Sequence, residues 1–360
     1  MAPPKQTPLL AVIRLRAAVI AGLRDYYEGQ EVVEVRPPLL VDVTGACENV
    51  DTLLAVSGSR QVSQRSGSAM REHQEPRGYL SQTGQLALET ALAQCHACWC
   101  HTVSFRDDEP SPRHLREFEL VEEEFGVGPD SAPPGDGLGA VVLFDQLLDR
   151  IQHVVRAGIA RTLDTGAAAA VGVDTEHLRA TLDTDFPRVT YDEAIDMANT
   201  DRVERKEPLL CWGQDLTPDD EATIVRHASN DYGVLLPTVV TLFPAEIKFF
   251  NMKLDPRDQS RVLSADVLMP FAGEAVGAAV REDDYDILVD RLETSPMFRA
   301  LQARDIATLD VFEPYLSLIR RKETPRHAGY GIGLDRVLQF IAQGDDIRDT
   351  SLGYRLAKGE

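Results

Sequence analysis

The sequence predicts a mixed α+β fold, and three stretches carry that expectation. Residues 9 to 28 place Leu9, Ile13, Ala17, Ile20 and Leu23 at spacings of three and four, one face of a helix. Residues 327 to 333 put glycines at every second position, the period of a strand. The apolar run Val337-Leu338-Gln339-Phe340-Ile341 then opens a second helix. Between these, residues 141 to 163 show helical periodicity again.

In chain order, Arg14, Arg16 and Arg24 fall among the apolar positions of the first helix and are expected to face solvent or a partner. Glu31 to Val43 alternates as a strand into Pro37-Pro38-Leu39-Leu40. Residues 57 to 78 are rich in Ser, Gly, Arg and Gln and predict a surface loop over a pocket. Gly128, Pro129, Pro133, Pro134, Gly135 and Gly137 predict a turn-rich connection over 126 to 139. Asp164 to Asp185, rich in Ala and Thr, is expected to be peripheral and to close an insertion at about 126–185. No internal repeat or heptad run is present.

At 360 residues and 43% hydrophobic, the chain can bury a sizeable core as one large domain. No run of eighteen apolar residues predicts a transmembrane helix. Five cysteines and an N-terminus without a signal-peptide pattern point to a reducing cytoplasm. Cys95-His96-Ala97-Cys98-Trp99-Cys100-His101 has the density of a metal motif but no second Cys pair, so buried thiols are expected. With 58 acidic and 37 basic residues the net charge is −21, which weighs against a polyanionic partner.

The candidate chemistry begins at His327-Ala328-Gly329-Tyr330-Gly331-Ile332-Gly333-Leu334-Asp335-Arg336. A strand face bare of side chains lets a flat ligand approach the backbone. Arg336, at the start of the following helix, can lie on a base or clamp phosphate oxygens. Four further blocks precede it: Tyr79 to Thr90, Phe105-Arg106 to Phe118, Phe243 to Phe250, and Asp266 to Glu282. Together the five ordered blocks, over residues 10 to 345, resemble class II aminoacyl-tRNA synthetases, with flanks similar to the asparaginyl branch.

The resemblance implies an antiparallel sheet flanked by helices, and a homodimer through residues 9 to 43. It implies ATP and Mg²⁺. Arg106 would be the catalytic residue, contacting the α-phosphate and the substrate carboxylate, where a guanidinium fork stabilises developing charge. Asp108 stands where the family has a Glu that reads adenine, and Glu109 follows it. Arg113 and His114 would reach the outer phosphates. Phe118 and Arg336 would sandwich the adenine beside Gly333. Arg281 would belong to the ATP site, and Asp266 with Glu274 would hold Mg²⁺ through hard oxygen ligands. Gln85 and Glu89 would face an amino-acid substrate, with Lys248 a further candidate and Arg320 or Arg321 supplying the opposite charge. Leu88 replaces the Lys of aspartate-specific relatives.

Three departures shape the expected function. No anticodon-binding β-barrel precedes the first helix, the loop from Arg106 to His114 is one residue shorter than in the family, and the charge is acidic. They lead to the expectation of an asparagine synthetase-like amide ligase. It would activate aspartate or an analogue as the acyl-adenylate and pass it to ammonia or a small amine, without tRNA and without a membrane. A truncated synthetase charging tRNA or a carrier protein is the alternative, and a non-catalytic regulatory paralogue is a third.

Overall fold

The computed structural model describes residues 8–42, 49–57, 78–127 and 138–357. Eight strands form its main sheet: β1 (Val33–Glu34), β2 (Ala97–Phe105), β3 (Glu117–Gly126), β4 (Arg188–Thr190), β5 (Thr238–Thr241), β6 (Ser264–Met269), β7 (Gly273–Val280) and β8 (His327–Gly333). Their spatial order is β1-β2-β3-β8-β7-β6-β5-β4. The five inner pairings are antiparallel, and only the edge pairs β1–β2 and β4–β5 are parallel. The antiparallel sheet is therefore as expected, and helices flank it.

One face of the sheet packs on α1 (Leu9–Gly29), α3 (Leu138–Asp164) and α9 (Leu334–Ala342). Leu15, Val19 and Leu23 of α1 meet Leu147, Ile151 and Ile159 of α3 in that core. Gly22 is required at the crossing, because a Cβ there would lie 2.5 Å from the Ala157 carbonyl oxygen. The buried face of α1 is Ala11, Val12, Leu15, Ala18, Val19, Gly22, Leu23 and Tyr27, so of the expected face only Leu23 is fully buried. Ile13 is 41% exposed, and Arg16 turns inward instead of toward solvent. The stretch after α3 is not peripheral: Ala167, Ala168, Val171 and Leu178 join the same core.

The other face is shared by a cavity and two smaller clusters. Near the β4 edge, α4 (Tyr191–Arg205) and α5 (Pro218–Ala228) cover Val240, Leu268 and Ala279. Both helices begin with a capping box, Thr190 with Glu193 and Thr217 with Asp220. Beyond the cavity, α6 (Tyr285–Thr294), α7 (Pro296–Ala303) and α8 (Leu309–Arg320) enclose Phe250, Phe298 and Phe312. The short helix α2 (Gln85–Ala91) leans on β2 and β3 from this side. Residues 58–77, most of the expected loop over the pocket, lie outside the described residues, as do 128–137 of the expected insertion.

Candidate active site

Strand register sets the floor of the site. Asp266 pairs with Gly277, Gly277 with Gly331, Gly331 with Glu122 and Glu122 with Cys100. These five residues form one row across four pairings, so they share a sheet face. Two glycines at its centre leave the bare floor that alternation predicted. Two residues along the strands, on the same face, Gly329 pairs with Glu124. A Cβ on Gly329 would lie 2.1 Å from the Glu124 carboxylate, so only glycine lets that side chain lie flat.

A cavity of about 420 Å³ opens above this floor. Gln85, Arg106, Asp108, Arg113, His114, Phe118, Lys248, Asp266, Glu274, Arg281, Gly333 and Arg336 all line it. At one end Arg106 lies over the Phe118 ring at 5.2 Å. Arg336 is anchored by the Ala272 carbonyl at 2.5 Å and the Arg113 carbonyl at 3.3 Å. Burial, with the charge of Arg113 beside it, pulls the Arg336 guanidinium below its ordinary value. The loop between β2 and β3 is tied by Ser111 Oγ to His114 Nδ1 at 2.9 Å. It presents Arg106, Arg113 and His114 to the cavity, and carries Arg116 half-exposed beside Asp107 and Glu109.

Glu109 is thereby corrected: it points to solvent with Arg116, leaving Asp108 as the acid of that pair in the cavity. Arg320 and Arg321 are also corrected. They sit on the surface at the end of α8, paired with Glu313 and Glu323. The cation beside Glu89 is Arg281, which the sequence had assigned to ATP. Its Nη2 donates to Glu124 Oε1 at 2.5 Å, and its Nε lies 3.9 Å from Glu89 Oε1.

Glu89 is 1% exposed and held from two sides. Gln85 Nε2 donates to its Oε1 at 2.7 Å, and His327 Nε2 stands 3.1 Å from its Oε2. Burial would raise this carboxyl, but the His327 hydrogen bond and charge, then Arg281, hold it below its ordinary value. Glu89, Glu124 and His327 offer ligand atoms within 4.8 Å of one another, and Arg281 supplies the cation among them. Sequence reasoning missed His327, Glu122 and Glu124 as members of this end. The signal was present in Glu122-Glu123-Glu124: three consecutive acids between Val121 and Phe125 put acids on both faces of a strand, and they must be paired when buried.

Lys248 does not reach into the substrate end. Its Nζ donates to Asp266 at 2.6 Å and lies 3.9 Å above the Phe243 ring. Burial pushes the Asp266 carboxyl up to about 7, with Lys248 opposing and Glu274 adding to the rise. A buried carboxyl whose charge a neighbouring carboxylate disfavours makes, with that neighbour, a donor set that a hard divalent cation would satisfy. Glu221 of α5, also unforeseen, binds Arg113 Nη2 at 2.7 Å near the same end. Among the described residues Cys98 and Cys100 are buried thiols, pushed up first by burial, as the lone cluster predicted.

Comparison with known proteins agrees with this geometry. Residues 5–352 match the family described as tRNA synthetases class II (D, K and N). The chain is 30% identical over 350 residues to an asparagine–tRNA ligase of Sorangium cellulosum, covering 94% of this chain and 68% of that protein. It is 30% identical over 346 residues to the asparagine–tRNA ligase of Pyrococcus abyssi. Its fold matches asparaginyl-tRNA synthetase from Pyrococcus horikoshii complexed with asparaginyl-adenylate, with a TM-score of 0.72 and 29% identity over 95% of this chain and 67% of the other. These matches overturn the expected amide ligase that uses ammonia and no tRNA. Net charge sums over a whole surface and says little about one patch, and a loop shorter by one residue is a small difference.

Proposed function

The chain belongs to the class II tRNA synthetases of the D, K and N family, and from that premise we propose that it activates asparagine with ATP and transfers it to tRNA. The observation that carries this is the two-ended cavity. Gln85, Glu124 and Arg281 line one end, with the buried Glu89 held behind Gln85 and Arg281, and Arg106, Arg113 and Arg336 line the other. A carboxylate accepts from an amide NH₂ and a guanidinium donates to an amide oxygen, so the first end matches a side-chain amide. The cationic end matches the phosphates of ATP.

In this reading the α-carboxylate of asparagine attacks the α-phosphorus and pyrophosphate leaves. Arg106 stabilises the charge that builds on the phosphorus oxygens. Phe118 and Arg336 hold the adenine, and Asp108 accepts from its amino group. Asp266 and Glu274 would hold Mg²⁺, which draws charge from the phosphates when bound. A ribose hydroxyl at the tRNA end then attacks the acyl carbon and AMP leaves. The loop bearing Arg106, Arg113 and Arg116 offers basic groups at that mouth.

A homodimer belongs to the same proposal. Leu10, Ile13, Val33, Leu39 and Leu40 are 41–56% exposed along α1 and the β1 edge. The test of function is ATP–pyrophosphate exchange across the amino acids, then charging of total tRNA with labelled asparagine. Asparagine-dependent exchange and stable asparaginyl-tRNA are expected. Exchange with aspartate alone, or with none, would overturn the proposal.

A further inference from the structure

We infer that His327 is a positioning residue that keeps Glu89 an oriented anion, and so sets the preference of the pocket for a side-chain amide over a carboxylate. This rests on Glu89 and Arg281 being the side-chain end of the pocket. His327 itself is fully buried at the start of β8, and its carbonyl accepts from the Arg281 backbone N–H at 3.0 Å.

Both ring nitrogens face acceptors. Nδ1 is 2.8 Å from the Pro325 carbonyl oxygen, which can only accept, so Nδ1 carries a proton. Nε2 is 3.1 Å from Glu89 Oε2. One further proton therefore lies between Nε2 and Glu89, as imidazolium with carboxylate or as imidazole with carboxylic acid. The surroundings favour the ion pair, because Gln85 donates to the other Glu89 oxygen and Arg281 stands near it. The charged and titratable groups facing the pair come from every neighbouring element. They are Glu124 of β3, whose carboxyl burial pushes up to about 7 with Arg281 opposing, and Arg281 after β7.

With His327 protonated and Glu124 ionised, two anions and two cations balance. An amide adds no charge to this closed set, whereas a carboxylate adds an unpaired one. The proton shifts agree with the geometry. Burial would lower the His327 imidazole, but the bond and charge of Glu89 leave it above its ordinary value. Without His327 the largest influence on Glu89 is burial, which raises its carboxyl. Glu89 then takes up a proton as pH falls, becomes a donor, and accepts an aspartate side chain.

The experiment compares the wild-type protein with His327→Gln in ATP–pyrophosphate exchange. It reads the ratio of kcat/KM for asparagine to that for aspartate between about pH 6 and about pH 8. The α-ammonium groups of the two substrates titrate alike and cancel in the ratio. The expected result is a small change for wild type, set by the Glu124 carboxyl that burial pushes up to about 7. For H327Q the ratio falls by about tenfold or more as pH is lowered, with KM for ATP unchanged. A merely structural role would weaken both substrates together at all pH values, and an H327Q ratio that changes with pH no more than that of wild type overturns the inference. If H327Q does not fold, ¹⁵N-histidine NMR of the wild type decides. A histidine that stays imidazolium at about pH 8 supports the inference, and neutral tautomers throughout overturn it. If the wild type shows no asparagine-dependent exchange, the functional reading fails and the inference falls with it.

Discussion

Arg106 lines the cavity where the proposed function has one guanidinium serve the transition state, and its removal is the most direct test at the residue scale. Arg106→Ala is expected to lower adenylate formation about 10²-fold or more, with thermal unfolding little changed. Near-normal exchange would remove Arg106 from the site. Gly329 gives a second test, because a methyl there meets the Glu124 carboxylate and pushes it off Arg281. Gly329→Ala should cost about 1–3 kcal/mol in urea unfolding, as overpacking does. Residues of this kind differed in legibility. Arg106, Phe118 and Arg336 were readable because each is fixed by its neighbours in sequence. Arg281 was misplaced and Arg320 and Arg321 wrongly chosen because the partner of Glu89 is decided by strand register. The pairing of β7 with β8 brings residues 281 and 327 together, and no spacing within one block announces it.

At the scale of elements, the ends of β7 and β8 are clamped by charge. Lys253 donates to Asp283, and Arg326 Nε donates to the same carboxylate at 2.9 Å. Burial would raise this carboxyl, but the Lys253 charge and both hydrogen bonds hold it below 3.8. A depressed acid lends stability above its unfolded value and loses it as pH falls through its folded value. Asp283→Asn should therefore lower Tm at neutral pH, and the gap to wild type should close as pH is taken below 3.8. A gap that stays constant into acid would sink this account. The glycine-spaced strand and the helix after it were legible because period two gives way to a helical period at one point. The phase of α1 was not. Its sequence carries apolar residues on more than one side, and the exposed side holds Leu10 and Ile13.

For the whole molecule, that exposed side predicts association. Sedimentation at micromolar concentration should show a dimer, and Ile13→Asp should give a folded monomer. A wild-type monomer would count against the proposed interface. Arg16 gives this surface a further consequence. It leaves the same helix on the inward side and binds Asp335 Oδ1 and Glu119 Oε1 at 2.5 Å each and the Thr350 carbonyl at 2.9 Å. Asp335 is the residue before Arg336, and both acids line the cavity. In the proposed dimer one helix would thus carry subunit contact on its outside and the mounting of the proposed nucleotide clamp on its inside. Dilution then acts as an inhibitor that never enters the cavity. Specific activity should decline as subunits part, and added ATP should lower the concentration at which they do.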